Sequence, residues 1–219
     1  MQVIKEDLKP YIRSKPKNIE LPFEGVEVHD NFLTDQYVKH LQSMFYDDGF
    51  PWNYSQFVGM KAKDSDLSEE ETDNHLYFIH RIYDNLRPVE HPPFQVFDQL
   101  LPILEALEVR SLIRIRALLY VNQGKIIKHE SHQDAPYPIK AALLYLNDNN
   151  GYTGFNDGTK INSVSNRVAL FDGSSYHHST TPTNCKERLV ININYTWNTS
   201  LAPRGSIMEY IVKDDFLDK

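Results

Sequence analysis

The chain has 219 residues, 41% of them hydrophobic and 12% aromatic, enough for one domain with a sizeable core. Its formal net charge of −7 argues against a surface that tracks nucleic-acid phosphates, although a local basic groove would be compatible with that balance. A single cysteine, Cys185, excludes an internal disulfide and suits a reducing compartment. The first residues, Met1 to Lys17, lack the apolar centre of a secretion signal, and no apolar run has the length of a membrane span, so a soluble, cytoplasmic protein is expected.

Residues 1–25 are polar and punctuated by Pro10, Pro16 and Pro22, which predicts an arm with short strands leading into Val26–His29. Thr34 or Asp35 can cap a helix that places Tyr37, Val38, Leu41, Met44 and Phe45 on one face, and Gly49, Phe50 and Pro51 end it. After Trp52-Asn53-Tyr54 comes an acidic segment, residues 61–74, expected as a solvated loop or as a mobile lid beside a pocket. Phe94, Phe97, Leu100, Leu101, Leu104 and Leu107 form a second helical stripe, which Pro102 should kink or divide.

From Ser111 the period changes. Residues 112–121, 140–146, 166–171 and 189–197 are strand-like, and Asn149-Asn150-Gly151 and Asn156-Asp157-Gly158 are turn signals. Short strands without alternating helices predict a mainly β fold with flanking helices (α+β), a barrel or jelly roll with helices packed outside. One domain over residues 1–219 is expected: 1–110 as arm and supporting helices, 111–200 as the jelly-roll core, 201–219 as a C-terminal extension.

The chemistry-bearing residues fall in that core. His132-Gln133-Asp134 is an H-x-D pair, and in an extended segment both side chains leave the same face. A third ligand should lie far along the chain on a returning strand. His177 and His178 are the candidates, and because neighbours on a strand face opposite ways, only one should reach the metal. Two imidazoles and one carboxylate hold non-haem Fe(II) and leave positions open for oxygen chemistry. His29, His40, His75, His80 and His91 have no ligand spacing and are read as packing or surface residues, while His129 could support a ligand from behind.

Arg188 opens the apolar run Leu189-Val190-Ile191. It is either a surface arginine at a strand start or a buried guanidinium that grips a carboxylate co-substrate by two parallel hydrogen bonds. Positions 188, 190, 192 and 194 share a strand face, and Asn192 and Asn194 are expected there if that face lines a polar cavity.

Taken in order, these residues resemble the 2-oxoglutarate and Fe(II)-dependent dioxygenases, specifically the prolyl-hydroxylase-like branch and short oxygenases of phages and marine bacteria. The likeness covers most of the chain. His132-x-Asp134 resembles the proximal ligand pair, and Leu144-Tyr145-Leu146-Asn147 the family's Y-L-N strand. Asn149-Asn150-Gly151-Tyr152-Thr153, Asp157-Gly158-Thr159-Lys160 and Ser165-Asn166-Arg167 match the subgroup's central pattern, as Asp30-Asn31-Phe32-Leu33 and Pro51-Trp52 do less specifically. Phe171 to His177 matches an F-x-x-x-x-x-H segment and selects His177. The proline that prolyl hydroxylases often carry four residues past their distal histidine would instead select His178 from Pro182. Thr180-Thr181-Pro182-Thr183 precedes Arg188 as in the family, while residues 149–160 stand in place of a Gly-Gly-Glu-Leu-type segment.

The resemblance implies a double-stranded β-helix with Fe(II) on His132, Asp134 and His177. It also implies 2-oxoglutarate with its distal carboxylate on Arg188 and its pocket lined by Tyr145 and Tyr120, and O2 as second co-substrate. The implied reaction hydroxylates a C–H bond of a peptidyl proline or a small molecule, with succinate and CO2 as co-products. Two other readings compete. A nucleic-acid base demethylase would need a basic groove and a stacking platform, against the acidic balance. A non-catalytic metal-binding jelly roll would need no Arg188.

Overall fold

The computed structural model describes residues 5–16, 23–57 and 75–196. The acidic segment 61–74 and the C-terminal extension 201–219 lie outside the described residues.

Alternation of side chains decides the architecture. Among the described residues eleven strands occur in chain order, β1 (Val26–His29), β2 (Asn53–Ser55), β3 (Tyr77–Asp84), β4 (Arg87–Pro88), β5 (Ser111–Val121), β6 (Lys140–Tyr145), β7 (Tyr152–Phe155), β8 (Lys160–Asn162), β9 (Arg167–Asp172), β10 (His177–Ser179) and β11 (Glu187–Thr196). The large sheet has the order β1-β9-β6-β11-β5-β3-β2, with β4 on β3, and every pairing is antiparallel. The small sheet has the order β10-β7-β8.

On β11, Leu189, Ile191, Ile193 and Tyr195 turn to one face, where they join Ile115, Ala117, Ala142, Leu144, Val168 and Leu170 in a core shared with the helices. Val190 turns to the other face. There Tyr120, Ala141, Leu143, Tyr145, Ala169 and Phe171 meet Phe155 and Ile161 of the small sheet. Two antiparallel sheets closed over this second core form a jelly roll, and the helices cover the opposite side of the large sheet.

Helix α1 (Asp35–Phe45) starts where the sequence predicts, with Thr34 Oγ1 accepting from the Tyr37 amide at 3.4 Å. Tyr37, Val38, Leu41 and Phe45 are its buried face. Helix α2 (Val96–Ala106) runs through Pro102 without division. Pro102 removes the amide that would reach the Asp98 carbonyl, but Asp98 is exposed, so solvent can satisfy that carbonyl.

The N-terminal half supplies strands as well as helices. β1 pairs with β9 at one edge of the large sheet, and β3 extends β5 at the other. The arm is tied down by Asn166, which takes a positive φ of 64°. Its side chain accepts from the Leu33 amide at 2.7 Å and donates to the Leu33 carbonyl at 2.8 Å. Among the described residues no helix is long and apolar enough to cross a membrane.

Candidate metal centre and anion pocket

The H-x-D segment is held as an extension of the small sheet. Lys128 pairs with Thr180 and His132 with His177. His132 and His177 exchange both backbone hydrogen bonds, each at 2.9 Å, and the Asp134 amide donates to the Gly173 carbonyl at 2.8 Å. This register brings residues more than forty positions apart into one cluster. His132, Asp134 and His177 each offer a ligand atom, all within 4.8 Å of one another.

Each imidazole is oriented by a backbone carbonyl. His132 Nδ1 lies 3.2 Å from the Glu130 carbonyl oxygen and His177 Nδ1 2.9 Å from that of Ser175. A carbonyl only accepts, so both Nδ1 atoms carry the proton and both Nε2 atoms keep a free lone pair. Burial pushes His177 below the ordinary histidine value, so the ring is a neutral ligand.

Asp134 has a side chain only 3% exposed. Arg114 Nη2 donates to its Oδ1 at 2.8 Å, Asn194 Nδ2 to its Oδ2 at 2.9 Å, and Asn192 Nδ2 lies 3.3 Å from Oδ2. Burial raises this carboxyl, but the Arg114 charge and the Asn194 amide offset it and hold the group below the usual carboxylate range. It is therefore an anion aimed at the cluster.

His178 does not join the cluster. It sits opposite Gly154 of β7, and a Cβ at that glycine would fall 2.4 Å from the His178 ring. The imidazole lies over bare backbone on the other face of the small sheet, and burial with the nearby Lys128 pushes it down to about 4.

Arg188 lies farther along the same interior face and is 1% exposed. Its Nε donates to Ser163 Oγ at 2.6 Å, Nη2 to Thr153 Oγ1 at 2.8 Å and Nη1 to the Thr180 carbonyl at 3.3 Å. The guanidinium carbon stands 5.1 Å from the Tyr120 ring centre and 5.5 Å from that of Tyr145. Among the described residues no carboxylate forms an ion pair with it. A buried cation without a counter-charge is costly, and an anionic ligand removes that cost.

His129 belongs to this pocket rather than to the back of a ligand. Its Nδ1 is 2.8 Å from Ser179 Oγ, and its ring stacks on Tyr120 with centres 5.3 Å apart. Burial drives it well below the ordinary value, so it is neutral.

The structure thus brings His132, Asp134 and His177 together, and sets Arg188, Tyr120 and Tyr145 together on the same interior face. Thr153, Ser163 and Arg114 were not singled out from the sequence. Arg114 had a signal in the alternation Ile113-Arg114-Ile115-Arg116, a polar face on an otherwise apolar strand. Thr153 and Ser163 had none.

Compared with known proteins, the sequence matches no family model and no curated protein. The fold does have relatives among solved structures. A 2OG-Fe(II) oxygenase family oxidoreductase from Burkholderia pseudomallei is similar with a TM-score of 0.57 at 12% identity, covering 78% of this chain and 85% of that one. A prolyl hydroxylase from Trichoplax adhaerens, in complex with a hypoxia inducible factor oxygen degradation domain peptide, scores 0.55 at 15% identity over 80% and 85% of the two chains. The non-heme alpha-ketoglutarate-dependent carbocyclase SnoK of nogalamycin biosynthesis scores 0.54 at 11% identity over 79% of each. At these identities the likeness is one of fold.

Proposed function

We propose that the chain is an Fe(II)- and 2-oxoglutarate-dependent dioxygenase that hydroxylates a C–H bond of a second substrate. What carries the reading is one interior face with a three-ligand cluster and, farther along it, a buried Arg188 without a carboxylate partner. A protein that only stored metal would have no use for that cation. In this reading residues 1–219 are one oxygenase domain acting in the reducing cytoplasm, with 111–200 as its catalytic core and 1–110 as its outer layer and sheet edges.

His132, Asp134 and His177 would hold Fe(II), a donor set of two neutral nitrogens and one carboxylate oxygen that suits this ion. With the metal, 2-oxoglutarate and O2 bound, the chemistry supplied is conversion of the keto acid to succinate and CO2, with one oxygen atom placed on the substrate carbon.

The remaining work belongs to the chain. Arg188 donates to Ser163, Thr180 and Thr153, and its guanidinium charge would pair with the distal carboxylate of the keto acid. Thr153 Oγ1 accepts from Arg188 and from the Tyr145 hydroxyl, so its own proton is free to donate to the same ligand. Tyr120 and Tyr145, both buried, keep water from that carboxylate and strengthen its pairing.

The test is anaerobic titration of metal-free protein with Fe(II) and then 2-oxoglutarate, followed by the visible metal-to-ligand charge-transfer band. The band is expected in the wild type and lost in His132→Ala. Iron binding with no band on adding keto acid would overturn the reading in favour of a metal-binding module.

A further inference from the structure

Beyond Asp134, the interior face turns basic. Arg114 and Arg116 lie two apart on β5, and Arg81 of β3 is the cross-strand partner of Arg116. In a chain with a net charge of −7, three guanidinium groups on two adjacent strands beside the metal ligands are a local reversal of sign. Arg114 is neutralised by Asp134 at 2.8 Å, and Arg81 has Asp84 at 3.8 Å. Arg116 has no carboxylate within ion-pair distance among the described residues, and its buried Nε has no hydrogen-bond partner there. Burial and the adjacent Arg114 destabilise its charge.

The residue paired with Arg116 on β11 is Asn192, and its Oδ1 is also buried and without a partner. The orientation of that amide is chemically fixed. Asp134 accepts only, so the Asn192 NH2 must face it, at 3.3 to 3.4 Å, and Oδ1 must face away. Directly opposed strand residues have side chains within about 5 Å of each other. The two orphans therefore make a matched pair, a charged donor and a neutral acceptor, one residue removed from the iron ligand. Buried groups of this kind are satisfied in working proteins, and each one left open asks for a specific partner.

We propose that the primary substrate is a free α-amino acid, with its carboxylate on the Arg116 guanidinium and its ammonium on Asn192 Oδ1. This rests on the dioxygenase reading above and names the substrate class of the same site. A phosphodiester would meet Arg116 but has no donor for Asn192. An internal residue of a peptide has no free carboxylate. An amino acid supplies both groups, on one carbon and its carboxyl substituent.

The experiment uses protein loaded anaerobically with Fe(II) and 2-oxoglutarate, to which each of the common free L-amino acids and its methyl ester is added in turn. The readouts are perturbation of the charge-transfer band and, after admission of O2, succinate formation. At least one free acid is expected to shift the band and accelerate succinate formation, while its ester does neither. In Arg116→Gln the half-saturating concentration of that acid should rise about tenfold or more, with the band from keto acid alone intact. An ester as effective as its acid, or no response to any free amino acid, overturns the inference and leaves the dioxygenase reading standing. If the band never forms before amino acid is added, the dioxygenase reading fails and the inference falls with it.

Discussion

Asp134 is a good ligand because of its neighbours. Arg114, Asn192 and Asn194 occupy its lone pairs away from the cluster and keep it ionised in a site where burial alone would protonate it. Arg114→Met is therefore expected to weaken Fe(II) binding by about 10- to 100-fold, read by anaerobic metal titration. An unchanged affinity would mean that Asn192 and Asn194 suffice. Arg188, which has no carboxylate partner among the described residues, would make the opposite trade and serve a ligand at the expense of the fold. Arg188→Met should raise the 2-oxoglutarate requirement by at least about tenfold while the thermal midpoint of the ligand-free protein holds or rises. A fall of several degrees in that midpoint would show that the bonds to Ser163 and Thr153 outweigh the desolvation of the charge.

At the scale of elements, the small sheet depends on a single missing side chain. Gly154 lets β7 pass beneath the His178 ring, and a methyl group there meets ring atoms at 2.4 and 2.5 Å. Gly154→Ala should cost about 1–3 kcal/mol, and Gly154→Ala with His178→Ala should recover most of it. Chemical denaturation of the four proteins of that cycle measures the coupling, and a cost that persists in the double variant would locate the problem elsewhere. His178→Ala alone should keep the charge-transfer band, since the ring faces away from His177.

The arm is joined to the sheet by an ion pair as well as by Asn166. Arg167 donates to both Asp30 oxygens, at 2.6 and 2.9 Å, and this holds Asp30 below the usual carboxylate range. A depressed carboxyl stabilises the fold above its unfolded value, and that contribution is lost as the pH falls through the folded one. The stability difference between wild type and Asp30→Asn should thus be present at neutral pH and be lost as the pH falls through the depressed Asp30 value. The pair is exposed, so the difference stays below about 1 kcal/mol. A difference that grew in acid would contradict the assignment.

For the whole molecule, the core that holds the cluster is also the core that closes the two sheets. Ligands that bind only the folded state raise its stability by mass action. Fe(II) with 2-oxoglutarate should raise the thermal midpoint more than Fe(II) alone, and a chelator should reverse both gains. Equal shifts with and without the keto acid would separate Arg188 from the metal cluster.

Much of this was legible in the sequence where the signal is local. Strand-like apolar runs bounded by turn residues marked β5, β6, β9 and β11, and the 3.6-residue stripe marked α1, because each signal is carried by neighbours within a single element. The H-x-D pair, and an arginine opening a strand whose interior positions carry asparagines, pointed to the chemistry for the same reason. Tertiary structure decided whatever depends on pairing between distant strands. That His177, and not His178, lies beside His132 and Asp134 was decided when His132 paired with His177 and turned its neighbour onto Gly154. The continuity of α2 through Pro102 was set by the exposure of Asp98, and the places of β1 and β3 in the large sheet by their pairing with β9 and β5. The facing orphans Arg116 and Asn192 exist only through the register of β5 against β11. A residue's period is written in its neighbours along the chain, but its partner across a sheet is fixed by the closure of the whole fold.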